Sequence, residues 1–186
     1  MRSPEQAGIG ANVILLHEDF QQLLDALIAR DYQTIGPTMQ NGAIIYDEVD
    51  TVAEFPVGWT DEQEPGAYRL HRNGEETLFD YAPGPHSWKQ WLRPPLQRLW
   101  RAKRVNGGFE IIPESEDPPK YAFIGVRACE LHAIQIQDQV YSGGAYVDQP
   151  YNARREQAFI VAVNCTTAGG TCFCVSMKTG PAVGPG

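Results

Sequence analysis

The sequence predicts an α/β fold whose N-terminal part is α+β. A β-rich unit over residues 1–112 is followed by a βαβ unit over residues 120–186. Three observations predict this. Residues 121–126 and 159–163 are short apolar runs of the buried-strand type. Between them, Leu131, Ala133, Ile134, Ile136 and Val140 fall within one helical stretch, residues 130–141, closed by Gly143-Gly144. The first half instead alternates short apolar stretches with turn signals such as Asn41-Gly42 and Asn73-Gly74. Strand, helix and strand at this spacing make a right-handed crossover with parallel strands.

Each element follows from its own residues. Residues 1–12 lack periodicity and form a loose lead. Val13 to Leu16 are a short strand or an approach to the first helix. Phe20, Leu23, Leu24, Leu27 and Ile28 recur at helical spacing, with Glu18 and Asp19 where negative charge suits the helix dipole. Residues 32–36 and 43–49 read as strands joined by a turn over 37–42. Residues 68–70 and 77–81 read as two further strands joined at Asn73-Gly74, so residues 20–86 are expected to stand apart as a β-rich unit. Ser87 and Gln90 form a capping-box pattern for a short helix ended by Pro94-Pro95.

Trp88, Trp91, Leu92, Leu96, Leu99 and Trp100 form an aromatic-rich stripe, read as core between the halves. Lys89, Arg93, Arg98, Arg101, Lys103 and Arg104 are a basic concentration in an otherwise acidic chain, either a solvated face or a dock for an acidic partner or a phosphate. Gly107-Gly108 and the proline-bearing stretch 113–119 read as loop or linker, and so does 147–152.

The chain has 186 residues and a formal net charge of −8, which argues against nucleic acid and anionic membranes as main partners. No apolar run approaches the roughly 20 residues a membrane span requires. The block 13–16 is too short for a signal-peptide core, so a cytoplasmic location is expected. Thiols there stay reduced, which disfavours disulfides.

All four cysteines then invite a single reading. Cys129 follows the carboxyl end of the first βαβ strand and Cys165 that of the second, where open α/β sheets bind their ligands. Gly169-Gly170 lets the next loop turn back so that Cys172 and Cys174 reach the same point. Four converging thiolates suit tetrahedral Zn²⁺ or a [4Fe–4S] cluster, and the spacing C-x₃₅-C-x₆-C-x-C matches neither the ferredoxin run nor paired zinc knuckles. Arg127 either adds a positive charge nearby or is a surface arginine. A third reading makes Cys129, near a helix N-terminus, a nucleophile with His132 on the same helix face. Against it stands the bland reading of His132 as a packed or solvated side chain.

Several stretches carry a resemblance. They are Pro65-Gly66-Ala67-Tyr68-Arg69-Leu70, Ser87-Trp88-Lys89 with Pro94-Pro95, and Gly125-Val126-Arg127-Ala128-Cys129. Further on come Arg154-Arg155-Glu156, Asn164-Cys165 and Cys172-Phe173-Cys174-Val175-Ser176-Met177-Lys178-Thr179-Gly180-Pro181. With these the chain resembles the N-terminal region of cytoplasmic sulfhydrogenase (hydrogenase/sulfur reductase) beta subunits. It is similar, too, to the corresponding component of anaerobic sulfite reductases. Glu130 stands where that family usually has aspartate. The resemblance implies a [4Fe–4S] cluster on Cys129, Cys165, Cys172 and Cys174, with backbone N–H groups of Gly169, Gly170 and Thr171 turned to its sulfurs. It implies electron relay from a flavin-bearing subunit to a hydrogenase or sulfite-reductase partner, or the reverse. The family continues into a ferredoxin-like domain with two further clusters. No C-x₂-C-x₂-C run follows before Gly186, so a fragment or isolated domain is expected.

Overall fold

The computed structural model describes residues 8–82, 84, 86–113 and 117–184. The first seven residues of the expected lead, Pro83, Pro85 and residues 114–116 of the expected linker lie outside the described residues.

A four-stranded mixed sheet organises the chain. Helix α1 (Phe20–Ile28) leads into strand β1 (Tyr32–Gln40), which turns at Asn41-Gly42 into β2 (Ala43–Glu48). Asn41 and Gly42 both have positive φ, 51° and 75°, as a two-residue hairpin turn of right-handed strands requires. The second hairpin is β3 (Trp59–Glu64) and β4 (Ala67–Arg72). Short helix α2 (Lys89–Leu92) follows, then a third hairpin, β5 (Trp100–Val105) and β6 (Gly108–Pro113). The second half runs β7 (Lys120–Arg127), α3 (Ala128–Tyr141), α4 (Gln149–Gln157), β8 (Phe159–Val163) and the single turn α5 (Cys174–Met177).

The sheet order is β2-β1-β7-β8. β7 and β8 are parallel, with Phe123 opposite Ile160, as the βαβ reading expected. The expectation that residues 20–86 stand apart fails for β1 and β2, whereas β3 and β4 form a two-stranded sheet of their own. Tyr32–Ile35 of β1 pairs in parallel with Lys120–Phe123 of β7, so both halves share one sheet.

β7 is central and buried from Tyr121 to Arg127. Its side chains alternate between two cores, as strand geometry dictates. Ala122 and Ile124 join Phe20, Leu24 and Leu27 of α1 on one face. Tyr121 and Phe123 join Trp88, Leu92, Ile134 and Tyr151 on the other. At Gly125 (φ 90°) the β7–β8 register slips, and Val126 joins the Phe123 face across this bulge. A Cβ at Gly125 would meet the Phe79 ring at 2.7 Å, so the bulge needs glycine.

Several local expectations are corrected. The turn over 37–42 contracts to Asn41-Gly42. Pro37 lies within β1 but beyond Ile35, where β7 no longer pairs, so its missing N–H leaves no ladder bond broken. The partner of β4 is the acidic β3, through Gly66 (φ 78°), and residues 77–81 are irregular. Residues 13–16 form no strand and are exposed. Helix α4 replaces most of the loop expected at 147–152. The Asp148 carboxylate accepts the Tyr151 N–H at 3.1 Å as its cap, and Pro150 sits in the first turn. Of the aromatic stripe, Trp88 and Leu92 are core, whereas Leu96, Leu99 and Trp100 are exposed. At 107–108 the loop alternative holds: Asn106-Gly107 turn a hairpin and Gly108 begins β6.

Candidate metal centre

The βαβ topology decides where the cysteines fall. Arg127, the last residue of β7, lies opposite Val163, the last of β8. Cys129 is therefore on the first turn of α3, and Cys165 lies two residues beyond β8, both at the carboxyl edge of the sheet.

Arg127 fastens this edge. It is not a surface arginine: it is 1% exposed. Its guanidinium donates to the carbonyls of Phe79 (2.5 Å), Tyr81 (3.0 Å) and Asn164 (3.1 Å), and lies over the Tyr81 ring. One side chain thus joins the 79–81 segment to the strand end that precedes Cys165. Glu130 closes the first turn of α3: its carboxylate accepts the Arg127 backbone N–H at 2.8 Å and the Tyr46 hydroxyl at 2.5 Å. Burial holds the Glu130 carboxyl above its usual range.

The loop after Cys165 is folded by its own backbone and by β3. The Cys165 N–H donates to the Pro181 carbonyl at 3.1 Å, and Val183 N–H to the Asn164 side chain at 2.9 Å, which draws residues 181–183 alongside. The Cys165 thiol donates to the Thr167 carbonyl at 3.2 Å. A Cβ at Gly170 would stand 2.3 Å from the Gln63 carbonyl, and one at Gly169 would stand 3.1 Å from the Ala82 methyl. These glycines let the loop lie against β3. Neither lines the cavity described next, which Thr171 reaches instead.

All four cysteines line a single cavity of about 380 Å³. Arg127, His132, Phe173, Met177 and Gln63 of β3 share its wall, and no carboxylate does. Cys172 is exposed, and the other three cysteines are half-buried. Among the described residues, no three His, Cys, Asp or Glu side chains stand at metal-holding spacing. The sulfurs thus share one cavity without closing to coordination distance. The Cys165 thiol is turned to Thr167, and Cys172 lies on the exposed loop.

The donor set is nonetheless specific. Four thiols with no carboxylate suit soft or borderline metals, Zn²⁺ or iron–sulfur, and not Mg²⁺ or Ca²⁺. The nucleophile reading gains nothing here. Burial first, then the Glu130 carboxylate and Cys174, push the Cys129 thiol up, whereas an activated cysteine needs it lowered.

Sequence reasoning missed Gln63 and Tyr46. Gln63 sits in a strand masked by its acidic neighbours, and nothing local to Tyr46 marks it as a partner of Glu130. Arg127 is not the Ser or Thr that opens a capping box, so the Glu130 carboxylate's bond back to the Arg127 N–H had no sequence signature either.

The chain is similar to the beta subunit of sulfhydrogenase 2 from Pyrococcus furiosus, with 37% identity over 144 residues. The match covers 77% of this chain and 34% of the relative, so the chain spans about a third of that relative's length. This relates the chain to a hydrogenase beta subunit. No protein-family model matches the chain, and no solved structure matches it.

Proposed function

We propose that this chain is the cluster-holding part of a subunit of a hydrogenase-type oxidoreductase, relaying electrons without substrate chemistry of its own. The observation that carries this reading is the gathering of all four cysteines on one cavity wall that bears no carboxylate. When bound there, a [4Fe–4S] cluster supplies reversible one-electron transfer, and four protein thiolates leave no iron open to substrate.

The chain's own residues prepare for that role. Cys129 sits on the first turn of the 14-residue helix α3, where the helix dipole offsets part of the burial and the Glu130 charge that hold its thiol up. Arg127 holds a buried positive charge behind it. Cys174 and Cys172 belong to a loop that residues 181–183 and Gln63 keep folded back on Cys165. Ile136, Phe173 and Met177 give the cavity an apolar, exposed margin. The similarity to a sulfhydrogenase beta chain supports a hydrogenase partner, and the family resemblance adds a flavin-bearing or sulfite-reducing one. Among the described residues no helix is long and apolar enough to cross a membrane. We place the relay in the cytoplasm by analogy with the resembling family.

Anaerobic reconstitution with iron and sulfide tests the reading. We expect about four iron atoms per chain, broad visible absorption and an EPR signal on reduction. Cys174→Ser should alter or abolish both signals. A colourless protein retaining zinc would replace the relay with a structural staple.

A further inference from the structure

Gln63 is the residue of β3 that reaches the cysteine cavity. It interrupts a run of carboxylates, Asp61-Glu62-Gln63-Glu64. Strand alternation turns Glu62 and Glu64 outward, where both are exposed, and leaves Asp61 and Gln63 half-buried on the other face. Asp61 is committed elsewhere: its carboxylate accepts the Ala82 N–H at 2.6 Å. An uncharged amide thus stands where the acidic strand meets the four thiols. It has the size and shape of the glutamates beside it and lacks their charge.

Three consecutive residues of the cysteine loop hold that amide in place. A Cβ on Gly169 would stand 3.3 Å from the Gln63 carboxamide carbon, and one on Gly170 would clash with the Gln63 backbone carbonyl. The Thr171 hydroxyl donates to Gln63 Oε1 at 2.8 Å, and Cys172 is the next residue. The loop therefore takes the oxygen of the amide. The nitrogen carries two N–H donors, and among the described residues no acceptor meets them. A planar amide fixed through its oxygen has its nitrogen fixed as well. The side chain lines a wall whose strongest acceptors, once the site is loaded, are thiolate sulfurs.

We propose that the Gln63 amide nitrogen donates a hydrogen bond to a sulfur of the loaded centre, on its Cys172 side, and so raises the reduction potential. Hydrogen bonds to the sulfurs are one of the means by which a protein sets the potential of an iron–sulfur centre. An N–H turned to sulfur stabilises the reduced state more, because that state carries one more negative charge. Glutamate here, as at 62 and 64, would do the reverse by setting a carboxylate against an anionic centre. The effect on potential presupposes the electron-relay reading; the bond itself requires only thiolates around a metal.

The test compares wild type with Gln63→Glu and Gln63→Leu after anaerobic reconstitution with iron and sulfide. Gln63→Glu keeps an oxygen for the Thr171 hydroxyl and replaces the N–H donors with charge, so the loop keeps its anchor. We expect equal iron per chain and a midpoint potential lower by at least a tenfold change in the oxidised-to-reduced ratio, about 59 mV for one electron. Gln63→Leu should shift in the same direction by less. Potentials unchanged in both variants would overturn the proposal. Loss of iron from both would overturn it as well, leaving Gln63 an anchor of the loop and not a donor to the centre. A wild-type chain that takes up no iron defeats the relay reading alone, and Gln63 is then read with Co²⁺ as the probe of the thiolate site. Co²⁺ affinity should fall at least tenfold in Gln63→Leu. An unchanged affinity, or a wild type that binds neither iron nor Co²⁺, would overturn the proposal.

Discussion

Arg127 carries a full charge into the interior and meets it with three backbone carbonyls and an aromatic face. The geometry asks for a planar fork, because the acceptors lie on two separate segments. A lysine ammonium is a single point of charge and cannot span them. Arg127→Lys should cost about 2–4 kcal/mol in denaturant unfolding, from orphaned carbonyls and a poorly solvated cation. A loss below about 0.5 kcal/mol would show that the fork does not tie 79–81 to Asn164. Glu54 acts at the opposite, exposed extreme. Its carboxylate accepts the N–H groups of Asp50 and Thr51, both at 2.8 Å, and those bonds hold its pKa below the ordinary value of 4.5. A carboxyl lowered in the folded state contributes stability above its unfolded pKa and loses it as pH falls through the lowered value. Glu54→Gln should therefore be less stable than wild type near neutral pH, by under about 1 kcal/mol because the site is solvated. The two unfolding curves should converge in acid. A gap that widens in acid would contradict the assignment.

At the scale of elements, the loop 164–174 depends on glycine where it crosses β3. Gly170→Ala would set a Cβ 2.3 Å from the Gln63 carbonyl, a backbone atom that cannot swing aside. We expect a loss of about 1–3 kcal/mol, with Cys172 displaced from the cavity and iron retention falling in the reconstituted protein. Retention equal to wild type would mean that the loop's approach to β3 does not position Cys172. The same elements show what a sequence discloses. β7 and β8 were legible as short continuous apolar runs, and α3 as the helix-length stretch between them, because a crossover joining parallel strands admits one handedness. α4 was hidden because Tyr151 is its one buried side chain. It is held instead by polar bonds: the Tyr151 hydroxyl at 2.6 Å and Arg155 at 3.1 Å, both to Asp138 of α3. β3 was hidden for a related reason. Asp61, Glu62 and Glu64 have poor strand propensity, and pairing with β4 overrides it. The β5–β6 hairpin has no buried face at all, so no periodicity could announce it.

At the scale of the whole molecule, the choice of partner for β1 was invisible locally. Residues 32–35 read as a strand whether they pair within the first half or with β7, and only the tertiary fold decides. The outcome binds the halves. Trp88 stacks on Tyr46 of β2 with ring centroids 3.9 Å apart and meets Phe123 of β7 at 5.0 Å. The candidate centre depends on the same union, since Gln63, from the first half, forms part of its wall. One core thus spans the boundary, and unfolding should be a single cooperative transition, with tryptophan fluorescence and far-UV circular dichroism coincident in denaturant. Phe123→Ala removes the ring between the halves and should cost about 3–5 kcal/mol, read as a lower midpoint at an unchanged slope. If the halves were held together only loosely, the variant would instead separate the two probes, with fluorescence changing before the helical signal. Two transitions in the wild-type chain would show that the β1–β7 ladder does not couple the first half to the cysteine-bearing edge.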